Sequence, residues 1–193
     1  MPALLEDEEV RGLELLPPDA LYEVIDGEAK EIAPMGFAAN LLAFQLGVAM
    51  SRFVQSPRDV LVVEGMFILP APVNRRRRPD VAYVPASRVP ATWPPPPSSD
   101  PPAMAAVHTL VVEVVSPNDL MVELEEKRRE YFAVGATTVV FLYPTLRTVH
   151  VHDTVSSTRV LTDVDTLDVG AALPGFSLRV ADLFAPLNPP PPQ

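Results

Sequence analysis

The segment Leu110-Val111-Val112-Glu113-Val114-Val115 constrains this chain more than any other. It is apolar at both alternate sets of positions, which marks a strand covered on both faces. The spacing predicts a central strand from Val107 to Val115. Glu113 stands inside it. An isolated charge in a core is strongly unfavourable, so such a carboxylate persists when paired or bound to a metal. Both readings stay open for Glu113: an ion pair with an arginine, or a metal ligand.

Two further charges sit in similar surroundings. Asp80 follows Pro79 and opens the strand Asp80-Val81-Ala82-Tyr83-Val84. Lys127 lies on a helix predicted from about Asp119 to Val134, after the turn and cap of Ser116-Pro117-Asn118-Asp119. Gly135 supplies its C-terminal stop. Leu120, Leu124, Lys127, Tyr131 and Val134 share one face of that helix. The acids and arginines between them cover much of the rest. Lys127 therefore falls in the apolar seam, either snorkelling to water or serving a buried acid. Only two lysines exist in the chain, Lys30 and Lys127.

If strands 80–84 and 110–115 are neighbours, Asp80 and Glu113 converge on one divalent ion. Magnesium takes oxygen ligands and keeps several waters. Such an ion lowers the pKa of a bound water and stabilises charge on a phosphate. A nearby lysine orients or deprotonates the water, or neutralises the intermediate. Two acids and a lysine so placed point to metal-dependent phosphodiester cleavage. Glu23 shares a strand face with Leu21 and Ile25, and Glu64 interrupts the apolar run Val60–Leu69.

The rest of the chain reads as mixed α/β. Asp26-Gly27 between apolar runs is a hairpin signal near the N-terminus, with the return strand over Glu28–Ala33. Ala38–Val54 reads as a helix whose broad apolar face includes Phe44, Leu46, Val48 and Met50. Val60–Leu69 reads as one strand with a bulge at Glu64-Gly65. Trp93–Pro102 is Pro-rich and forms neither helix nor ladder strand. Strands follow at Thr137–Leu142, Thr148–His152, Thr158–Thr162 and near Leu167, then a helical turn at Val180–Phe184. His150 and His152 share one strand face, expected to be solvent-facing. The length of 193 residues suits one domain, 1–188, followed by a disordered Pro-rich tail at 189–193.

Composition narrows the function. With no cysteine, disulfides and thiolate metal sites are excluded. The N-terminus has neither a basic stretch nor a long apolar one, so neither a signal peptide nor a membrane span is expected, and the cytoplasm is the default location. A net charge of −10 opposes broad adhesion to nucleic acid. The run Arg75–Arg78, directly before Pro79-Asp80, is a local exception. It reads as a phosphate grip at a site mouth or as a solvated loop.

Taken together, Tyr22-Glu23-Val24-Ile25-Asp26-Gly27-Glu28, Arg78-Pro79-Asp80-Val81-Ala82-Tyr83-Val84, Leu110–Pro117 and Glu126-Lys127-Arg128-Arg129-Glu130-Tyr131 with Gly135 carry a resemblance. The chain resembles the Uma family of bacterial restriction-endonuclease-like proteins, within the PD-(D/E)XK nuclease superfamily. The resemblance covers residues 12–184. It implies a mixed central β-sheet flanked by helices, with an N-terminal β-hairpin. It also implies hydrolysis of DNA with Mg2+ or Mn2+. Asp80 and Glu113 are then metal ligands, with the Val114 carbonyl as a third. The superfamily lysine would fall at Val115, which cannot serve; the family places it on the next helix, here Lys127. Glu23 matches an additional acid that reaches the metal through water. Two positions depart from the family: Asn40 stands in the region of an early histidine, and His108-Thr109-Leu110 replaces Pro-Asp-Leu. Cutting a duplex needs two cuts, which suits a homodimer. RNA or branched nucleic acid is an alternative substrate. A non-catalytic nucleic-acid-binding or scaffold protein that retains the fold is the rival, motivated by the acidic charge and Asn40.

Overall fold

A computed structural model of the protein describes residues 10–91, 93 and 103–188. Residues 1–9, most of the expected Pro-rich loop and the tail 189–193 lie outside the described residues. The first half contains β1 (Tyr22–Ile25), β2 (Glu28–Glu31), α1 (Phe37–Ser51), β3 (Val60–Val63), β4 (Phe67–Leu69), β5 (Arg75–Arg77) and β6 (Val81–Val84). The second half contains β7 (Leu110–Val114), α2 (Met121–Ala133), β8 (Thr138–Tyr143), β9 (Thr148–Thr154), β10 (Ser157–Leu161), β11 (Thr166–Asp168), β12 (Ser177–Arg179) and α3 (Val180–Phe184).

Six strands form the main sheet in the order β10-β9-β8-β7-β6-β3. Only β7 and β8 are parallel in it. A parallel pair needs a crossover, and α2 provides it. β7 is central and wholly buried, as its apolar run requires. Its side chains alternate between two cores. Leu110, Val112 and Val114 pack with Leu42, Leu46 and Met50 of α1 and with Leu183 and Phe184 of α3. Val111 packs on the other side with Leu124 and Tyr131 of α2. Glu113 follows the parity of Val111, so it points to the α2 side.

A second sheet, in the order β2-β1-β5-β4, contributes Phe67 and Leu69 to that same side. Its hairpin turns at Asp26 and Gly27, with φ of 54° and 76°. Two successive left-handed residues suit the twist of a two-residue hairpin turn. A third, two-stranded sheet pairs β11 with β12.

Several expectations are corrected. Val60–Leu69 is two strands in different sheets, not one strand with a bulge. The chain reverses at Glu64, whose φ is 54°, and at Gly65, where a Cβ would lie 2.8 Å from the Val62 side chain. The arginine run contributes a strand, β5, because each of Arg75, Arg76 and Arg77 is paired to β4 on its edge. On α1, Phe44 and Val48 face solvent, at 60% and 44% exposure. On α2, Leu120 is 58% exposed and lies before the helix, so the seam begins at Leu124. Asp119 holds the preceding turn, accepting from the Ser116 amide at 2.8 Å, and does not cap the helix. His152 is buried beneath α2, where its Nδ1 lies 2.8 Å from Thr158 Oγ1 and 3.3 Å from Arg128 Nη1. His150 is half-buried against the Tyr143 ring.

Candidate active site

The register of β6 on β7 pairs Val81 with Val112. One rung further, Asp80 stands opposite Glu113. The Val114 amide donates to Asp80 Oδ2 at 2.5 Å and fastens that carboxyl to the end of β7. On the other side of β6 the same extension brings Glu64 opposite Asp80, and the Glu64 amide donates to the Asp80 carbonyl at 3.1 Å. The backbone thus sets three acids in a row across the ends of adjacent strands.

Helix α2 covers Glu113. Lys127 Nζ donates to Glu113 Oε2 at 3.2 Å, and Tyr131 donates its hydroxyl to Oε1 at 2.6 Å. Residues 127 and 131 are one turn apart and reach the same target because they share a helix face. Lys127 also lies 3.3 Å from Glu23 Oε1 on β1. The four expected residues Asp80, Glu113, Lys127 and Glu23 therefore gather at one place. Lys127 does not snorkel away: its side chain is 20% exposed and its ammonium is shared by two buried carboxylates.

Behind this set lies a second layer of charge. Arg77 Nη1 donates to Glu23 Oε2 at 2.7 Å, and the Arg78 amide donates to Glu23 Oε1 at 3.0 Å. Arg77 also grips Glu130 of α2 through Nε at 2.7 Å and Nη2 at 3.0 Å. Arg75 reaches Glu130 as well, together with Glu126 at 2.7 Å and Asp26 at 3.1 Å. The arginine run is thus sorted by strand alternation: Arg75 and Arg77 turn inward to these acids. For these two the solvated loop gives way to a strand whose guanidinium groups are paired with acids.

These neighbours set the ionisation. Burial and the adjacent Glu113 push Asp80 up to about 8, against the pull of the Val114 amide and Lys127. Burial raises Glu113 despite Lys127. Burial also acts to raise Glu23, but Lys127, Arg77 and the Arg78 amide outweigh it and hold Glu23 below the usual range. Burial favours a neutral Lys127, yet Glu113 and Glu23 prevail and raise it, so it remains an ammonium. Tyr131 is raised well above its usual value by burial and by Glu113, so its hydroxyl stays a donor.

The profile of the Uma2 family, described as "Putative restriction endonuclease", matches residues 7–181. The chain belongs to the Uma2 family. A crystal structure described as a "putative nuclease", from Anabaena variabilis ATCC 29413, is similar to this Uma2 chain with a TM-score of 0.72 at 16% identity. The likeness covers 91% of this chain and 96% of that one and shows a shared, restriction-endonuclease-like fold. A search of the curated proteins found no match. Among the described residues, no helix of this Uma2 protein is long and apolar enough to cross a membrane.

Three residues at the site escaped sequence reasoning. Arg77 and Glu130 lie in charged runs that read as solvated surface. Tyr131 stood on the predicted seam, where an aromatic residue reads as core. The available signals were the period of two within Arg75–Arg77 and the one-turn spacing from Lys127 to Glu130 and Tyr131.

Proposed function

We propose that this Uma2 protein is a divalent-metal-dependent endonuclease that hydrolyses DNA phosphodiester bonds. The observation that carries the reading is the convergence of Asp80, Glu113 and Lys127 across two adjacent strands and one helix. The residues fit a hard cation. Asp80 and Glu113 offer carboxylate oxygens in partly dry surroundings, and their mutual repulsion is relieved by positive charge. Among the described residues, no group of three or more His, Asp or Glu side chains stands ready to enclose an ion. Two carboxylates, with waters and the Val114 carbonyl, suit magnesium or manganese, which keep part of their water shell. When bound there, such an ion supplies an acidified water and offsets charge on the phosphate.

The chain's own residues do the rest. Lys127 is held as an ammonium between two carboxylates, so it is placed to serve as a fixed cation that offsets charge growing on the phosphate. Tyr131 and Lys127 occupy one oxygen each of Glu113 and fix its plane. The Val114 amide fixes Asp80 through Oδ2. Glu23 accepts from Lys127 and holds the ammonium at the site. A second copy of the chain would supply the second cut of a duplex. A non-catalytic scaffold role that retains the fold is favoured by one observation, the net charge of −10, which opposes adhesion to nucleic acid.

The test is calorimetric titration of Mg2+ and Mn2+, paired with cleavage of plasmid DNA and of single-stranded RNA. The reading expects metal binding lost in Asp80→Asn, and DNA cleavage reduced on the order of 10²–10³-fold in Lys127→Met. Metal binding without cleavage of either polymer would favour the non-catalytic role. Faster cleavage of RNA would reassign the substrate.

A further inference from the structure

We propose that Arg77 is a positioning residue that acts through Glu23 to keep Lys127 on Glu113. This rests on the reading of Lys127 and Glu113 as members of the reacting site. The geometry poses a problem of competition. Lys127 lies 3.2 Å from Glu113 and 3.3 Å from Glu23, two carboxylates that are both buried. One ammonium cannot neutralise two anions. A Glu23 carboxylate with no other partner would draw the ammonium toward itself and leave Glu113 half-served.

Arg77 removes that competition. Its Nη1 takes Glu23 Oε2 at 2.7 Å, leaving only Oε1 to face Lys127, and the Arg78 amide shares Oε1 at 3.0 Å. The guanidinium is itself held in a fork by Glu130 through two contacts, at 2.7 and 3.0 Å. Glu130 stands one helical turn after Lys127 on α2, and next to Tyr131. The helix that delivers the lysine and the tyrosine therefore also carries the clamp for the arginine that governs their partner. Arg77 is 3% exposed, so water does not substitute for these contacts. A planar fork that satisfies two carboxylates at once is a geometry lysine cannot copy.

A buried ion pair that merely stabilises a fold can often be replaced by apolar groups at little cost. A positioning role makes different demands, which a double-mutant cycle reads. Lys30 and Lys127 are the only lysines, so selective 13C,15N-lysine labelling gives a direct view of the Lys127 terminus. Arg77→Met is expected to move the Lys127 Cε and Nζ resonances while the exposed Lys30 stays in place. It is also expected to lower kcat about 10–100-fold with a smaller change in KM. In a Glu23→Gln background, where the competing charge is gone, Arg77→Met is expected to change neither the Lys127 resonances nor kcat further. Arg77→Lys, which keeps the charge in the core and adds one new lysine signal, recognised by its absence from the wild-type spectrum, is expected to move Lys127 in the same direction by less. It carries the test if Arg77→Met does not fold.

Lys127 resonances unmoved in a folded Arg77 variant would overturn the proposal. So would equal losses in the presence and absence of Glu23. The spectra need no catalysis, so an inactive wild-type protein would count against the nuclease reading and leave the Arg77 result separately readable.

Discussion

Asp80 and Glu113 face each other across neighbouring strands, and this shapes the chemistry of each. Asp80 keeps its proton up to about pH 8, against 3.8 for a free carboxyl. The folded protein therefore binds a proton that the unfolded chain releases. Metal-free stability from this group is intact below about pH 4 and is lost as pH rises to about 8. Asp80→Asn removes that loss. The variant should exceed the wild type by on the order of 2 kcal/mol in urea melts at pH 8.5 with chelator, and match it near pH 4. Metal competes with the same proton, so Mg2+ affinity should rise between pH 6 and 8. Tyr131→Phe tests the other carboxyl. It leaves the ring in place and removes the 2.6 Å bond to Glu113. We expect a stability cost of about 1–3 kcal/mol and a fall in kcat of about 10–100-fold.

At the scale of elements, α2 is the organiser. One side carries Leu124 into the core, the next carries Lys127 and Tyr131 to Glu113, and the next carries Glu130 to Arg75 and Arg77. Glu130→Gln should loosen the seat of α2 on β5. A thermal melt should report a loss of about 1–3 kcal/mol, the scale of hydrogen bonds to charged groups. The same change at exposed Glu28 should cost nothing measurable. Much of this element was legible in the sequence, because Lys127 broke a helical period and Glu113 broke a continuous apolar run. A charge inside a regular pattern announces itself. Arg77 and Glu130 did not, because each stood among other charges and only the strand partner of β5 gives Arg77 its direction. The split of Val60–Leu69 was hidden for a related reason. Both pieces are apolar, and what separates them is a left-handed Glu64 and a crowded Gly65, which hydrophobic periodicity does not report. The burial of His152 depends on α2 lying over β9, a contact between distant segments.

For the whole molecule, buried groups narrow the pH range of the metal-free state from both sides. His108 is fully buried, in edge-to-face contact with Phe67 and Tyr131, with neither ring nitrogen bonded among the described residues. Burial lowers it to about 3, and burial with Arg128 lowers His152 to about 4. Both are neutral in the fold and become charged on unfolding in acid. Their contribution is intact above about pH 6.5 and is lost as pH falls toward 4 and 3. His108→Phe should flatten the acid limb of a pH–stability profile and leave the alkaline limb unchanged. Bound metal should lift the alkaline limb alone, because that limb belongs to the two raised carboxyls, Asp80 and Glu113. The same sheet that buries the histidines brings two acids to one end, α2 adds a lysine there, and we propose that this end cuts DNA. The most direct measurement is the rate at which supercoiled plasmid is nicked with Mg2+, with chelator, and by Glu113→Gln. We predict nicking by the wild type with Mg2+, none with chelator, and none by the folded variant. Equal nicking by the wild type and Glu113→Gln, or nicking that survives chelation, would contradict it.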